Sequence, residues 1–473
     1  MIPYDQFYAD GKFIPIKGSE RYVAVDPTTE KAFAEVSFCA ADEVDFAIRS
    51  ARRGFEAWRQ SSPSERNDAL VRLRSALEQR ADAVARVLAR EIGCPVWLGR
   101  LMQMSMPLKG LDFAIEGLSQ ICWQEQIGNG LVERVPSGVV AAITPWNFPV
   151  HQIVAKVAAA VAAGCSIVLK PSEVAPGAAL AFMEAVHDSG FPAGVVNMIW
   201  GGGNIGEYLV THPGVDRISF TGSTAVGQRI MASAAARLTP VTLELGGKSA
   251  AVILDDADLS IAIPAIARLG LANSGQACVS QSRLIVPGNL RDEAIAGFRE
   301  AAAAWVLGDP LEPATRLGPV ATSAQYESVN RMIARAKEQG ARCVMGGDKR
   351  LPKGYFVAPT LFANVRPEME IAQKEVFGPI VTLTTYENET EALALANASQ
   401  YGLSGAVWSA DLERATQFAR RMRTGQVVIN GAAQNLATPF GGWGMSGFGR
   451  ENGRFGIEDL LNFRSLHGAS FAL

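Results

Sequence analysis

The sequence predicts an α/β protein, with a parallel, doubly wound sheet followed by a second α/β unit. Three observations carry this expectation. From about Gly138, short apolar runs alternate with helix-length segments, the spacing that crossover-connected parallel strands require. The runs are continuously apolar, which fits strands buried on both faces. After about Gly246 the alternation starts again, and 473 residues exceed what one compact core accommodates.

Taken in order, the first 120 residues read as mostly helical. S-S-P-S-E at 61–65 starts one helix, with Ser62 as N-cap, Pro63 in the first turn and Glu65 closing a capping box. Its amphipathic pattern runs to about Glu91 and stops at Gly93. G-V-V-A-A-I-T predicts the first strand of the sheet, followed by a helix from about Val150 to Ala163. S-I-V-L-K predicts the second, with a helix from about Gly177. V-V-N-M-I-W, R-I-S-F-T and V-T-L-E predict the third, fourth and fifth. In the second unit S-A-A-V-I-L-D-D reads as a strand and D-D-A-D-L-S opens a helix. I-V-T-L-T-T, G-A-V-W-S and G-Q-V-V-I-N follow as strands, separated by helices at about 388–398 and 411–423.

Composition narrows the function classes. A net charge of −3 without a long run of one sign leaves no basic stripe, so no nucleic-acid partner is expected. The longest apolar stretch, V-A-K-V-A-A-A-V-A-A-G, is Ala-rich and interrupted by Lys156, too weak for a membrane span. No secretion signal is visible at the N-terminus, so a reducing cytoplasm is the expected compartment. The six cysteines form no CxxC and the four histidines show no metal-ligand spacing, so no metal is expected. With so few histidines, a catalytic base is more readily a carboxylate.

Seven segments stand out chemically. F-T-G-S-T-A-V-G at 220–227 follows a strand and opens a helix, so Gly222 and Ser223 present backbone amides and a hydroxyl suited to a phosphate; a strand-to-helix turn needs glycine in any case. L-K-P-S-E at 169–173 ends another strand, where Lys170 and Glu173 reach ribose hydroxyls or simply border a solvated loop capped by Ser172. A carboxylate at Glu173 repels a 2′-phosphate, favouring NAD over NADP. T-P-W-N-F-P at 144–149 holds Asn147 between two prolines, either as an oxyanion donor or as an ordinary turn residue. L-E-L-G-G-K-S at 243–249 puts Glu244 at a strand end, a candidate base or a surface glutamate. N-S-G-Q-A-C-V-S at 273–280 places Cys278 among small and polar neighbours, at what reads as a loop-to-helix junction where backbone N–H groups lend thiolate character; a lone cysteine is otherwise a quiet buried one. E-V-F-G-P at 375–379 and P-F-G-G-W-G-M-S-G-F-G-R-E-N-G at 439–453 imply loops passing close to another element.

In this order and spacing, P-W-N-F-P, K-P-S-E, F-T-G-S-T, E-L-G-G-K-S, G-Q-A-C, E-V-F-G-P and P-F-G-G-x-x-x-S-G-x-G-R-E resemble the aldehyde dehydrogenase superfamily over the whole chain. The resemblance implies two doubly wound Rossmann-like domains and a small β oligomerisation arm. The NAD-binding domain takes 1–118 and 137–245, the catalytic domain 246–440, and the arm 119–136 and 460–473, with a homodimer or homotetramer as the assembly.

It also implies roles. Cys278 becomes the nucleophile, Asn147 with the Cys278 N–H the oxyanion hole, and Glu244 the base that activates water. Trp146, Lys170, Ser172, Glu173, Gly222, Ser223, Leu245, Glu375 and Phe377 become cofactor-binding, and Glu451 resembles a carboxylate assigned to proton relay. Phe148, Gln152, Ala155, Ala277, Val279 and Phe440 line the substrate tunnel by analogy, and Arg283 reads as structural. The implied reaction is NAD-dependent oxidation of an aldehyde to the free acid through a thiohemiacetal and a thioester. Trp443 and Gly444, where many relatives carry an aromatic residue and a lysine, and the small-rich 431–438 segment leave the aldehyde open. A medium-chain aliphatic or aromatic aldehyde is expected, with a semialdehyde, or ligand binding without catalysis, as alternatives.

Overall fold

The computed structural model describes residues 1–347 and 351–469. Residues 348–350, in the predicted catalytic domain, and 470–473, at the end of the predicted arm, lie outside them.

The five predicted strands form the parallel centre of the first sheet. In space they lie as Val241–Glu244, Arg217–Thr221, Val139–Ile143, Ser166–Lys170 and Val196–Met198. Chain order reverses beside Val139–Ile143, which opens a crevice at the strands' carboxyl ends. Helix Pro149–Ala163 packs on this sheet; its Ala and Val side chains let it approach closely. The second sheet repeats the design. Parallel strands Thr360–Ala363, Ile380–Tyr386, Arg283–Pro287, Ala250–Ile253, Ser404–Trp408 and Gln426–Ile429 lie side by side, and antiparallel Arg342–Met345 closes one edge. The chain then returns to the first sheet, where Gly447–Phe448 pairs antiparallel with Val241–Glu244.

Two expectations need correction. The N-terminal segment is not helical from its start: Ile2–Tyr4, Gln6–Ala9, Lys12–Pro15, Arg21–Asp26 and Lys31–Ser37 are strands. Gln6–Ala9 and Lys12–Pro15 extend the first sheet beyond Val196–Met198, so an edge supplied by distant residues decides their conformation. The helix begun at Pro63 ends at Glu78, and a separate helix spans Ala81–Ile92. Leu77 and Val84, either side of the break, are both fully buried, so packing rather than a breaker residue divides the pattern. The start and stop behave as expected. Glu65 N–H donates to Ser62 Oγ at 3.2 Å, Ser62 N–H donates to Glu65 Oε2 at 2.7 Å, and Gly93 adopts the left-handed cap with φ 72°.

Gln124–Ile127, Gly130–Pro136 and Leu461–His467 form a separate antiparallel sheet. Its apolar Ile127 and Phe463 are exposed. Among the described residues, no helix is long and apolar enough to cross a membrane, and no cluster of His, Cys, Asp and Glu is placed to hold a metal.

Candidate active site

Because the central strands are parallel, their chemically unusual ends all emerge on one side. Two cavities lie there, of about 710 and 310 Å³, sharing Pro145, Trp146, Thr221 and Gly222. Lys170, Ser172 and Glu173 line the larger. Asn147, Ser223, Glu244, Leu245, Cys278, Glu375 and Phe377 line the smaller. Apart from Glu451, the carboxylate likened to a proton relay, every residue expected to be catalytic or cofactor-binding therefore borders this crevice. Of the six expected tunnel residues, Gln152 lines the smaller cavity and the other five do not. Phe148 is buried, Ala155 faces a separate void beside Lys156 and Glu451, and Ala277 lies behind Cys278 against Gly378. Val279 borders neither cavity of the crevice. Phe440 pairs through its backbone with Glu451. Trp443 and Gly444, together with 431–438, also lie outside the lining.

The cysteine loop owes its shape to unusual backbone. Asn273, Ser274 and Gly275 have φ of 52°, 56° and 70°, three successive left-handed residues. A Cβ on Gly275 would stand 2.0 Å from the Gly378 carbonyl oxygen, so only glycine lets the loop meet the 375–379 segment. Side chains lock it. Asn147 Nδ2 donates to the Gln276 carbonyl at 3.1 Å, which leaves one N–H of that amide uncommitted among the described residues. Gln103 Nε2 and Asn273 Nδ2 donate to the Asn147 carbonyl at 2.9 and 3.0 Å. Ala321 N–H donates to Gln276 Oε1 at 2.8 Å.

No helix begins at Cys278; the loop runs on to strand Arg283–Pro287, which corrects the expected junction. Nor does the resting thiol have thiolate character. Burial pushes the Cys278 pKa up, Glu375 and Glu244 push it further, and the nearby backbone N–H groups offset only part.

Glu244 is 2% exposed, and neither carboxyl oxygen has a hydrogen-bond partner among the described residues. Burial raises its pKa well above the ordinary value and Glu451 adds to this, while Lys156 and Arg450 oppose. Lys156, the cation that interrupts the apolar helix, donates to Glu451 Oε1 at 2.5 Å and to Thr221 Oγ1 at 2.8 Å.

At the far end of the crevice Lys170 Nζ lies 3.7 Å from Glu173 Oε2. Ser223 caps helix Thr224–Ala235 by accepting from Val226 N–H, and Gly222 and Ser223 at this helix start line the crevice. Glu375 Oε1 accepts from Gly247 N–H at 3.1 Å, and burial lifts its pKa to about 7. Phe377 holds φ 55°, rare for an aromatic residue, and meets Trp146 edge to face at 5.6 Å. Gln325 Nε2 fixes this segment by donating to the Val376 and Phe377 carbonyls at 3.0 and 2.9 Å. Arg283 spends its guanidinium on the Lys248, Leu395 and Ala396 carbonyls, which leaves it no role in the crevice.

Gln103 and Gln325 were not singled out from sequence; they sit in ordinary helical stretches. Lys156 did carry a signal, since a lone charge inside an Ala-rich helix requires a partner.

The aldehyde dehydrogenase family profile matches residues 13–466. The 3-succinoylsemialdehyde-pyridine dehydrogenase of a Pseudomonas species is 41% identical over 99% of both chains. The geranial dehydrogenase of Castellaniella defragrans is 39% identical over 98% of this chain and 99% of its own. Among solved structures, a cysteine-to-alanine variant of aldehyde dehydrogenase C from Pseudomonas syringae, complexed with NAD+ and octanal, superposes with a TM-score of 0.97. It is 39% identical, over 99% of this chain and 98% of its own. The Mycobacterium tuberculosis aldehyde dehydrogenase complexed with NAD+ gives 0.96 at 37% identity, over 98% of each chain. Matched along almost its whole length by the family profile and by these proteins, the chain belongs to the aldehyde dehydrogenase family and is an oxidoreductase.

Proposed function

We propose that the protein oxidises an aldehyde to its carboxylic acid with NAD, using Cys278 as nucleophile, Asn147 as oxyanion donor and Glu244 as base. The observation that carries this reading is their convergence on one cavity that shares Pro145, Trp146, Thr221 and Gly222 with a larger one at the same strand ends. The crevice fits the cofactor: capped helix amides suit a pyrophosphate, Lys170 and Glu173 suit one ribose, and Glu375 suits the other. NAD, when bound, supplies the hydride acceptor.

The chain's own residues do the rest. Cys278 Sγ bonds to the aldehyde carbon as the carbonyl π bond opens onto oxygen, and the thiol proton passes to water. The uncommitted Asn147 N–H and the Cys278 backbone N–H receive the charge that develops on oxygen, each such donor lowering the barrier by about 3–4 kcal/mol. Loss of hydride leaves a thioester on Cys278. Glu244, once ionised, takes a proton from water, whose oxygen attacks the thioester and displaces Sγ. Glu244 thereby favours hydrolysis over transfer to coenzyme A.

A medium-chain aliphatic or aromatic aldehyde is the favoured substrate class. No arginine lines the smaller cavity, and the P. syringae neighbour was solved with octanal. A semialdehyde is the second reading, favoured by the 41% identical Pseudomonas relative. The deciding experiment is an aldehyde panel of varied chain length and ring size, followed by NADH absorbance. Turnover peaking with six- to ten-carbon or aromatic aldehydes is expected. A preference for carboxylate-bearing aldehydes supports the second reading, and no NADH from any member points to a ligand-binding role without catalysis.

Glu173 sets cofactor choice in this proposal. Glu173→Gln is expected to raise kcat/KM for NADP by about tenfold, through loss of one like-charge repulsion. A wild-type enzyme that prefers NADP refutes this role.

The proposed architecture assigns 1–118 and 137–245 to NAD binding, 246–440 to catalysis, and 119–136 with 460–473 to an arm. That arm's exposed Ile127 and Phe463 would be covered in a homodimer or homotetramer, working in the cytoplasm.

A further inference from the structure

Gln152 is an anomaly in its helix. Pro149–Ala163 is built from Ala, Val and Ile packed into the core, yet Gln152 in its first turn carries a primary amide and is 6% exposed. Its Oε1 is shut off from solvent and has no hydrogen-bond partner among the described residues. A desolvated amide without a partner costs stability, and a methionine or leucine would fill the same place without that cost. Stability therefore does not explain a glutamine here. The side chain lines the cavity that also holds Cys278 and Asn147, so its amide, on turning toward what enters beside the reacting sulfur, can complete its hydrogen bonds.

Resting on the aldehyde dehydrogenase reading above, we propose that Gln152 is a specificity-determining residue that selects aldehydes bearing a second oxygen, hydroxyl or keto, on the chain that follows the aldehyde. An amide offers both a donor and an acceptor, so it pairs with either group. Discrimination follows from asymmetry. An oxygenated substrate satisfies the buried amide, whereas a plain alkyl chain leaves it unpaired and desolvated.

The test compares hexanal, 3-hydroxyhexanal and 4-oxohexanal on the wild type and on Gln152→Met, a substitution of similar volume. Gln152→Asn, which keeps the amide but shortens its reach, serves as a second variant. The wild type is expected to favour one or both oxygenated aldehydes over hexanal by about tenfold in kcat/KM. The two arms show whether hydroxyl or keto is preferred. Gln152→Met brings the ratio to about one, with the Kd for NAD unchanged.

A second readout is calorimetric binding of the same three aldehydes to Cys278→Ala, with and without Gln152→Met. It is expected to show the same loss of preference. Equal handling of all three aldehydes by the wild type overturns the inference and leaves the reaction intact. A shift in NAD affinity with the aldehyde ratio unchanged overturns it as well, since Gln152 then serves the cofactor. If no aldehyde is oxidised, the proposed reaction falls, and the binding ratios on Cys278→Ala still decide the role of Gln152.

Discussion

Cys278→Ala is expected to abolish aldehyde-dependent NADH formation, lowering kcat/KM by roughly 10⁵-fold or more, the scale seen when a covalent nucleophile is removed. The reason is structural as well as chemical. The sulfur is the only strong nucleophile in the smaller cavity, and the flanking loop holds its shape without it. That shape depends on the left-handed turn at 273–275 and on hydrogen bonds from Asn147, Asn273 and Gln276, none of which uses the thiol. The variant should therefore fold and bind NAD with a Kd within about threefold of wild type, a small change on the affinity scale. Far-UV circular dichroism and NAD titration check those two points, and NADH absorbance checks the third. Retained oxidation by the alanine variant would remove Cys278 from the mechanism. The same environment forecasts the thiol's pH behaviour in the cofactor-free enzyme. With its pKa pushed up by burial, Glu375 and Glu244, alkylation by iodoacetamide should be slow at neutral pH and accelerate as pH rises.

Glu244→Gln carries the second large effect. Acylation does not require this base, but release of the thioester does. Rapid mixing with saturating aldehyde should show a burst approaching one NADH per active site. A steady-state rate about 10²–10⁴-fold below wild type should follow, the usual contribution of a positioned general base. A variant that loses the burst as well would assign Glu244 to the first chemical step.

The pH profile gives an independent check. Burial and Glu451 raise the Glu244 pKa, so its basic form appears only as pH climbs above the ordinary carboxylate range. Wild-type turnover should rise with pH through that raised value, and the residual rate of Glu244→Gln should not. Stability runs the opposite way. A carboxyl that binds its proton more tightly when folded loses stability as pH rises from the unfolded to the folded pKa. Glu244→Gln removes that loss, so its Tm should exceed wild type at neutral pH.

Much of the fold is readable from local pattern. Apolar runs such as S-I-V-L-K and V-T-L-E become buried parallel strands because two-sided burial selects such residues. Their order along the chain also tells where the crevice opens, since parallel strands deliver Lys170, Thr221 and Glu244 to the same side. Lys156 likewise announces a buried partner, which proves to be Glu451, 295 residues away.

Other features depend on residues remote in sequence. Gln6–Ala9 becomes a strand through pairing with the Val196–Met198 edge, so its own residues did not identify it. The break between Glu78 and Ala81 is set by packing on both sides and has no local breaker. At Cys278, backbone N–H groups are a local property and were foreseeable, whereas what outweighs them is burial in the fold together with Glu375 and Glu244, which belong to other segments. The anchoring amides of Gln103 and Gln325 look like ordinary helical polar residues until the fold carries them to the Asn147 and Phe377 carbonyls.

Hydrophobic periodicity and turn chemistry are written in neighbouring residues, so the α/β class and the strand ends could be read directly from the chain, while the assignment of the candidate reactive groups came from the resemblance of its motifs. Burial, pKa and the choice among candidate tunnel residues depend on which distant segments exclude water from a given atom. Tertiary packing alone therefore placed Gln152 in the cavity, left Phe148, Ala155, Ala277, Val279 and Phe440 outside its lining, and raised the pKa of the Cys278 thiol and of Glu244.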